Sequence, residues 1–273
     1  SVGLQQDPTT LDPTSEATAS IDGMLMQNVY ETLTIIQQDG SVGPNLATGW
    51  EVSDDGLNYT FTLAEGVTFH DGTSFDAEDV LFSINRAMAE DSKNPAKGIF
   101  AGITSITAPD PLTVEVTLKE SEAFFLFNMG KGDAAIVAPE TADNNATTPV
   151  GTGPFKFGNW NRGDRLTLVK NPAHREADIV SLDTVTFRFV SDAAAATAAM
   201  MAEEIDAYPA FPAPELLEQF EADPRFKVTQ GNTQGEVILA INNAKPPFDN
   251  IEVRRAISHA ITREEIIDGA IYG

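Results

Sequence analysis

The sequence contains no cysteine. Without thiols a chain builds no disulfide framework, zinc finger or iron–sulfur cluster and has no thiol nucleophile, and thiol usage says nothing about its redox compartment. Basic residues are scarce. Seventeen Lys and Arg stand against 41 Asp and Glu, a formal net charge of −24. The shortage is sharpest at the start: the first 85 residues carry fourteen acids and no Lys or Arg, Arg86 being the first. So acidic a surface repels phosphate backbones and anionic headgroups, which makes nucleic acid and membrane surfaces poor partners. Solubility is the plainer account of the charge, and a field that favours cationic ligands the sharper one. No positive segment followed by an apolar one opens the chain, so it reads as cytoplasmic or as a mature form already freed of its signal. No run of about 18 apolar residues is available to span a bilayer.

What is present suits a globular protein. Of the 273 residues, 42% are apolar, enough for one large or two ordinary domains with real cores. Residues 1–13 read as a short strand running into a turn at Leu11-Asp12-Pro13. Ile21, Leu25, Val29 and Leu33 share one helical stripe, with Ser20 as its cap. Residues 49–52 and 58–63 flank Asp54-Asp55-Gly56 as a hairpin, with Tyr59, Phe61 and Leu63 alternating against Asn58, Thr60 and Thr62. Val67 and Phe69 continue the alternation to Asp71-Gly72. Asp76 with Asp79 forms a capping box for a helix that buries Val80, Ile84 and Ala87. Residues 103–107 and 112–118 make a second hairpin around Asp110-Pro111, and residues 155–160 and 165–170 a third. Further along come strands at 185–190, 205–208 and 237–241, an Ala-rich helix from 193 to about 204 and a short one around Phe220. Two capped helices close the chain, begun by Asp249 with Glu252 and by Thr262 with Glu265. Their apolar face (Ile257, Ala260, Ile261, Ile266, Ile267, Ala270) needs a partner, which points to a chain cut from a longer one.

Motif-level chemistry is thin. His70, His174 and His259 show no metal-ligand spacing, and His70 beside Asp71 reads as a satisfied turn histidine. The pairs Asp54-Asp55, Asp76/Asp79 and Glu203-Glu204 each have local work as turn, helix cap or solvated face, so they are not read as acid/base pairs. Gly151-Thr152-Gly153 could cradle a phosphate only by feeding a helix, yet Pro154 and the strand after it make it a tight turn entering a hairpin. No G-x-S-x-G, S-x-x-K or H-E-x-x-H is present. Tyr208 and Phe211, set among prolines after a strand end, read either as ordinary packing or as residues of the crevice where open α/β sheets bind ligands, with packing at least as strong a reading.

Several segments, in order, resemble one family. They are Leu11-Asp12-Pro13; Tyr30-Glu31-Thr32-Leu33; Pro44-Asn45-Leu46-Ala47-Thr48-Gly49-Trp50; Gly66-Val67-Thr68-Phe69-His70-Asp71-Gly72; Ala77-Glu78-Asp79-Val80; Pro149-Val150-Gly151-Thr152-Gly153-Pro154-Phe155; Glu204-Ile205-Asp206; and Pro247-Phe248-Asp249. Together they resemble the extracellular solute-binding proteins of peptide-importing ABC transporters, family 5. The family usually has Gly where Glu203 stands and often a Tyr-Trp pair where His174-Arg175 fall. The match covers about half of the family's length.

The resemblance implies a mixed α/β fold of the periplasmic binding protein type II class. Residues 1–40 and 150–245 would form the first lobe, 41–149 an inserted side domain of structural bulk, and 246–273 the start of a second lobe. It implies capture of di- to oligopeptides in an interlobe cleft and delivery to a membrane permease, without catalysis or cofactor. Nickel chelates, oligosaccharides, opines or haem are the alternative ligands within the family, and a secreted hydrolase is the reading from another class. By alignment Ala17, Thr18 and Ala19 line the first-lobe wall of the cleft, and Tyr208, Pro209 and Phe211 face the second lobe. The groups holding peptide termini would come largely from the missing half, so this chain alone should bind peptide feebly. A periplasmic protein or cell-surface lipoprotein, in mature form and monomeric at full length, completes the expectation.

Overall fold

Side-chain alternation decides where the strands form. In chain order the elements are β1 (Val2–Leu4), α1 (Ala19–Leu25), β2 (Thr34–Ile36), β3 (Val42–Pro44), β4 (Ala47–Val52), β5 (Asn58–Leu63), α2 (Ala77–Met88), β6 (Ile103–Asp110), β7 (Thr113–Leu118), α3 (Phe125–Asn128), β8 (Phe155–Asn161), β9 (Arg165–Lys170), β10 (Thr184–Phe189), α4 (Ala193–Met201), α5 (Leu217–Glu221), α6 (Ile251–Ala260) and α7 (Arg263–Ala270). This computed structural model describes residues 1–16, 18–229, 231 and 238–270. They fall into two units, Ser1–Ala210 and Phe211–Gly273.

The first unit carries two four-stranded sheets. One is ordered β1-β10-β9-β8, with β1 parallel to β10 and the remaining pairs antiparallel. The other, β4-β5-β7-β6, is antiparallel throughout. A ribbon of β2 and β3 stands beside them. Within the second sheet Tyr59, Phe61 and Leu63 of β5 pack with Val114, Val116 and Leu118 of β7, and Phe125 closes on Tyr59 at 4.6 Å between ring centroids. Helix α2 covers that layer with Val80, Ile84 and Ala87. Its capping box forms as expected: Glu78 N donates to Asp76 Oδ1 and Asp76 N to Asp79 Oδ2, each at 2.9 Å. The first sheet builds a separate core from Leu166, Leu168 and Phe187 with Ile21, Met24, Leu25 and Tyr30.

The chain joins the two cores at close quarters. Tyr30 belongs to one and Leu33 to the other. Residues 134–138 also run between them: Ala134, Ile136 and Ala138 face the second-sheet core, while Ala135 and Val137 face the first. An extended segment with period-two alternation buries both its faces there.

Some local expectations give way. The helical stripe ends at Leu25 because Gln27 adopts φ 61°, and Val29 and Leu33 reach their cores from irregular backbone instead. The cap is Thr18, not Ser20: Thr18 is extended, and its side chain accepts from Ile21 N. Residues 205–208 make only an isolated bridge between Val2 and Ala207. Of the strand expected at 237–241, Val237 lies outside the described residues. The rest is irregular, with Ile238 and Leu239 exposed, and no described strand pairs with it. In the second unit Asn250 rather than Asp249 caps α6, accepting from Glu252 N at 2.9 Å. Phe220 is sandwiched edge-on between Phe211 and Phe226, each at 5.1 Å. Ile251, Ile266 and Ile267 are exposed.

The end of α4 explains the departure at Glu203. Glu203 N donates to Met200 O and Glu204 N to Ala199 O, the paired bonds of a Schellman cap, and Glu203 holds the left-handed position with φ 59°. A side chain there costs about 1 kcal/mol, partly offset by the greater freedom that glycine has in the unfolded chain. Glu203→Gly is therefore expected to raise stability by about 0.5 kcal/mol, read as a higher urea midpoint at unchanged slope. A lower midpoint would refute this account.

Candidate functional site

Four of the segments that carry the sequence resemblance converge on one buried polar knot with the His174-Arg175 pair. Glu31, between the two cores, has a side chain only 4% exposed. Its Oε1 accepts from Arg175 Nη2 at 2.6 Å, and its Oε2 from Arg175 Nη1 at 2.9 Å and from Thr152 Oγ1 at 2.8 Å. His174 accepts Glu176 N at Nδ1, so a neutral ring carries its proton on Nε2, which faces Glu31 Oε2 at 3.7 Å. Burial alone would raise the Glu31 pKa. The N–H and O–H groups of His174, Arg175 and Thr152, together with the Arg175 charge, hold it down at about 2. Arg175 Nη2 also donates to Asn45 Oδ1 at 2.7 Å, and Asn45 Nδ2 to Gln27 Oε1 at 3.1 Å.

The return crossing, where residues 149–155 pass residues 28–30 on their way into β8, is held as tightly. Gly153 N donates to Val29 O at 3.0 Å and Phe155 N to Asn28 O at 2.8 Å. His70 fastens it from the other side, its Nδ1 accepting from Gly151 N at 3.4 Å and its Nε2 donating to Gly153 O at 2.9 Å. Burial lowers the His70 pKa to about 4, since a charged ring would lose water there. The histidine is thus a satisfied structural one, and Gly151-Thr152-Gly153 is a turn that enters β8.

A cleft of about 500 Å³ opens over this knot, lined by Gln27, Glu31, Asn45, Pro154, His174 and Arg175 among others. Both oxygens of Glu31 and both terminal nitrogens of Arg175 are already engaged within the chain. Thr152, the hydroxyl closest to a base here, is 1% exposed and donates to Glu31. The geometry joins segments, and the groups named here are spent on one another. Among the described residues no group of three or more His, Cys, Asp or Glu gathers to hold a metal, and no helix is long and apolar enough to cross a membrane.

The residues aligned to the interlobe cleft are not among those lining this pocket. Thr18 caps α1 and Ala19 opens it, while Ala17 is outside the described residues. Tyr208 lies against β1: its hydroxyl donates to Val190 O at 2.6 Å, and its ring so fills the space at Gly3 that a Cβ there would come within 2.2 Å. Pro209 follows, exposed, and Ala210 takes φ 52°. Phe211 belongs to the second unit, edge-on to Phe220. The structure thus gives two pairs of neighbours, Thr18 with Ala19 and Tyr208 with Pro209. Sequence reasoning missed the partnership of Glu31 with Arg175. Its one signal was the unusual His174-Arg175 pair in place of two aromatics.

Comparison with known proteins places this architecture. The profile of bacterial extracellular solute-binding proteins, family 5 Middle, matches residues 41–273. The glutathione-binding protein GsiB of Salmonella paratyphi A is 31% identical over 277 residues, covering 100% of this chain and 54% of that protein. The chain spans about half the length of the curated relatives it matches. Among solved structures, the periplasmic binding protein DppA of Helicobacter pylori in complex with the peptide STSA superposes with a TM-score of 0.84 at 31% identity, over 98% of this chain and 57% of that one. AgaA of A. tumefacien R10, in complex with agropinic acid, does so with 0.86 at 28%, over 98% and 55%. The mixed α/β fold is therefore that of the type II periplasmic binding proteins. This chain belongs to the bacterial extracellular solute-binding proteins of family 5.

Proposed function

We propose that the chain is part of the solute-binding component of an ABC importer, which captures di- to oligopeptides and delivers them to a membrane permease. The observation that carries this reading is the 31% identity, along essentially its whole length, to a glutathione-binding protein and to a DppA bound to a tetrapeptide. The protein works on the periplasmic side and makes and breaks no covalent bond. Its mechanism is physical: two lobes close on the ligand, trade water for protein contacts and shift a hinge equilibrium that the permease reads.

In this reading residues 1–40 and 150–245 belong to the first lobe, 41–149 to the side domain and 246–273 to the start of the second. Ala17, Thr18, Ala19, Tyr208, Pro209 and Phe211 contribute to the cleft. The polar knot holds the lobe and side domain as one rigid jaw, which suits a protein whose work is closure.

A second reading within the family is a non-peptide ligand, favoured by the likeness to an agropinic acid binder at 28% identity. Titration calorimetry of the longest form that the reading frame encodes, with the dipeptide Met-Leu, a tetrapeptide, glutathione and an opine, separates the two. Peptide affinity in the micromolar range or better is expected, and affinity at least tenfold weaker for the 273-residue chain alone. Opine binding without peptide binding would replace the first reading by the second. Equal affinity of the two forms would refute the need for a second lobe.

A further inference from the structure

The first basic side chain of the sequence finds its partners far away along the chain. Arg86 lies in the last turn of α2, whose buried face packs in the second-sheet core. Its Nη2 donates to Asp12 Oδ2 at 3.1 Å and its Nη1 to Thr14 Oγ1 at 2.6 Å, contacts that span 74 and 72 residues. Asp12 is 4% exposed at its side chain, Arg86 32%. Asp12 Oδ1 accepts both Thr14 N at 2.9 Å and Thr14 Oγ1 at 2.6 Å, and Asp12 O accepts Ser15 Oγ at 3.0 Å. Arg86, Asp12 and Thr14 thus close a ring around the turn that follows Leu11. Four and five residues beyond Thr14 come Thr18 and Ala19.

A buried carboxylate stripped of its cation is strongly unfavourable, so without Arg86 the Asp12 side chain must swing toward water. Thr14 hangs on both partners and the turn would move with them. Arg86 is suited to the task because its planar fork serves a carboxylate oxygen and a hydroxyl together, which a lysine ammonium on a flexible stem does less well.

We propose that Arg86 is a positioning residue for ligand capture: from the side domain it fixes the Asp12–Thr14 turn and so pre-sets the cleft wall at Thr18 and Ala19. This rests on the cleft reading given above. It assigns to residues 41–149 a part in recognition without any ligand contact. A wall held in place before binding avoids the ordering cost that a loose one incurs when the ligand arrives.

Hydrogen exchange of the 273-residue chain reads the coupling without ligand. Arg86→Met is expected to speed exchange of the Thr14 and Ser15 amides at least tenfold, leaving the Phe61 and Val114 amides of the second sheet unchanged. Arg86→Lys should restore much of the protection. Thr14→Val, which removes one acceptor but keeps the ion pair, should loosen the same turn and serves if Arg86→Met folds poorly. Unchanged Thr14 and Ser15, or equal acceleration everywhere, would overturn the proposal in favour of plain stability.

Titration of the longest encoded form with Met-Leu reads the consequence. About tenfold weaker binding by Arg86→Met, through faster dissociation and with recovery in Arg86→Lys, is the expected result. Equal affinity despite a loosened turn would overturn the positioning role and leave peptide capture standing. A wild type that binds no peptide would take down peptide capture, and the wall's ligand role with it. The exchange result would then still decide whether Arg86 holds the turn.

Discussion

Gly153→Ala is expected to destabilise the chain by about 4 kcal/mol or more, and Gly151→Ala by at least as much. A Cβ on Gly153 would stand 2.4 Å from Asn28 O and 2.7 Å from its carbonyl carbon. On Gly151 it would stand 2.0 Å from Val29 O. The obstacle is backbone, and that backbone cannot give way freely. Asn28 O accepts Phe155 N at the start of β8, and Val29 O accepts Gly153 N. Overpacking against adaptable side chains costs about 1–3 kcal/mol. Here relief would also break one or two buried backbone hydrogen bonds, each leaving groups whose desolvation costs about 1–3 kcal/mol. Gly98→Ala is the control, since nothing stands within 4 Å of its Cβ position. Chemical denaturation of the three variants checks the ranking. A loss below 1 kcal/mol at both Gly151 and Gly153 would mean that the return crossing is not packed as described.

This close approach also shows what the sequence could and could not disclose. Gly151-Thr152-Gly153 was legible as a turn because Pro154 and the strand after it left no helix to feed. That its glycines are there to admit the backbone of residues 28–30 was not, because the contact spans over 120 residues. Local codes read well: the alternations in β5 and β7 place Tyr59, Phe61, Val114 and Val116 in the core, and the Asp76–Asp79 box caps α2. The same rules erred by small steps where neighbours compete, with Thr18 capping instead of Ser20 and Asn250 instead of Asp249. Nothing in the composition around Gln27 marks a left-handed residue that stops a helix, so the stripe through Val29 and Leu33 overran it. Residues 238–241 are apolar enough for a strand, yet a strand exists only when its backbone is paired, and no propensity supplies the pair. The proposed cleft residues were reached through resemblance alone. Thr18, Ala19 and Pro209 are unremarkable types, and their placement depends on tertiary contacts such as the Tyr208 ring on Gly3.

The polar knot gives the second large effect, one that depends on pH. Arg175→Met is expected to cost about 3–5 kcal/mol at pH 7, the usual penalty for orphaning one member of a buried pair. Glu31→Gln should cost less. Arg175, 29% exposed, can turn its charge to water, whereas Glu31, at 4%, cannot. The sign with pH follows from protons bound. Glu31 has its folded pKa lowered from 4.5 to about 2, so its stabilisation is complete above pH 4.5 and lost as pH falls toward 2, about 3 kcal/mol in all. His70, lowered from 6.5 to about 4 chiefly by burial, loses stability as pH falls through that window, because the unfolded chain takes up the proton first. Asp79, raised from 3.8 to about 6 chiefly by burial, works the other way: the folded chain takes up its proton first, and stability is gained between pH 6 and 3.8. Those two nearly cancel, at about 3 kcal/mol each. Stability should therefore be almost level from pH 7 to about 4.5 and fall steeply below. The Arg175→Met penalty should shrink over the same acid range, because wild type is losing the Glu31 stabilisation there while the buried carboxyl of the variant, no longer held ionised by Arg175, takes up a proton and leaves no orphaned charge. Urea titrations of wild type, Arg175→Met and Glu31→Gln at pH 7, 5 and 3 measure this. An Arg175→Met penalty as large at pH 3 as at pH 7 would mean that lost packing around the guanidinium, rather than an orphaned carboxylate, is what the knot protects.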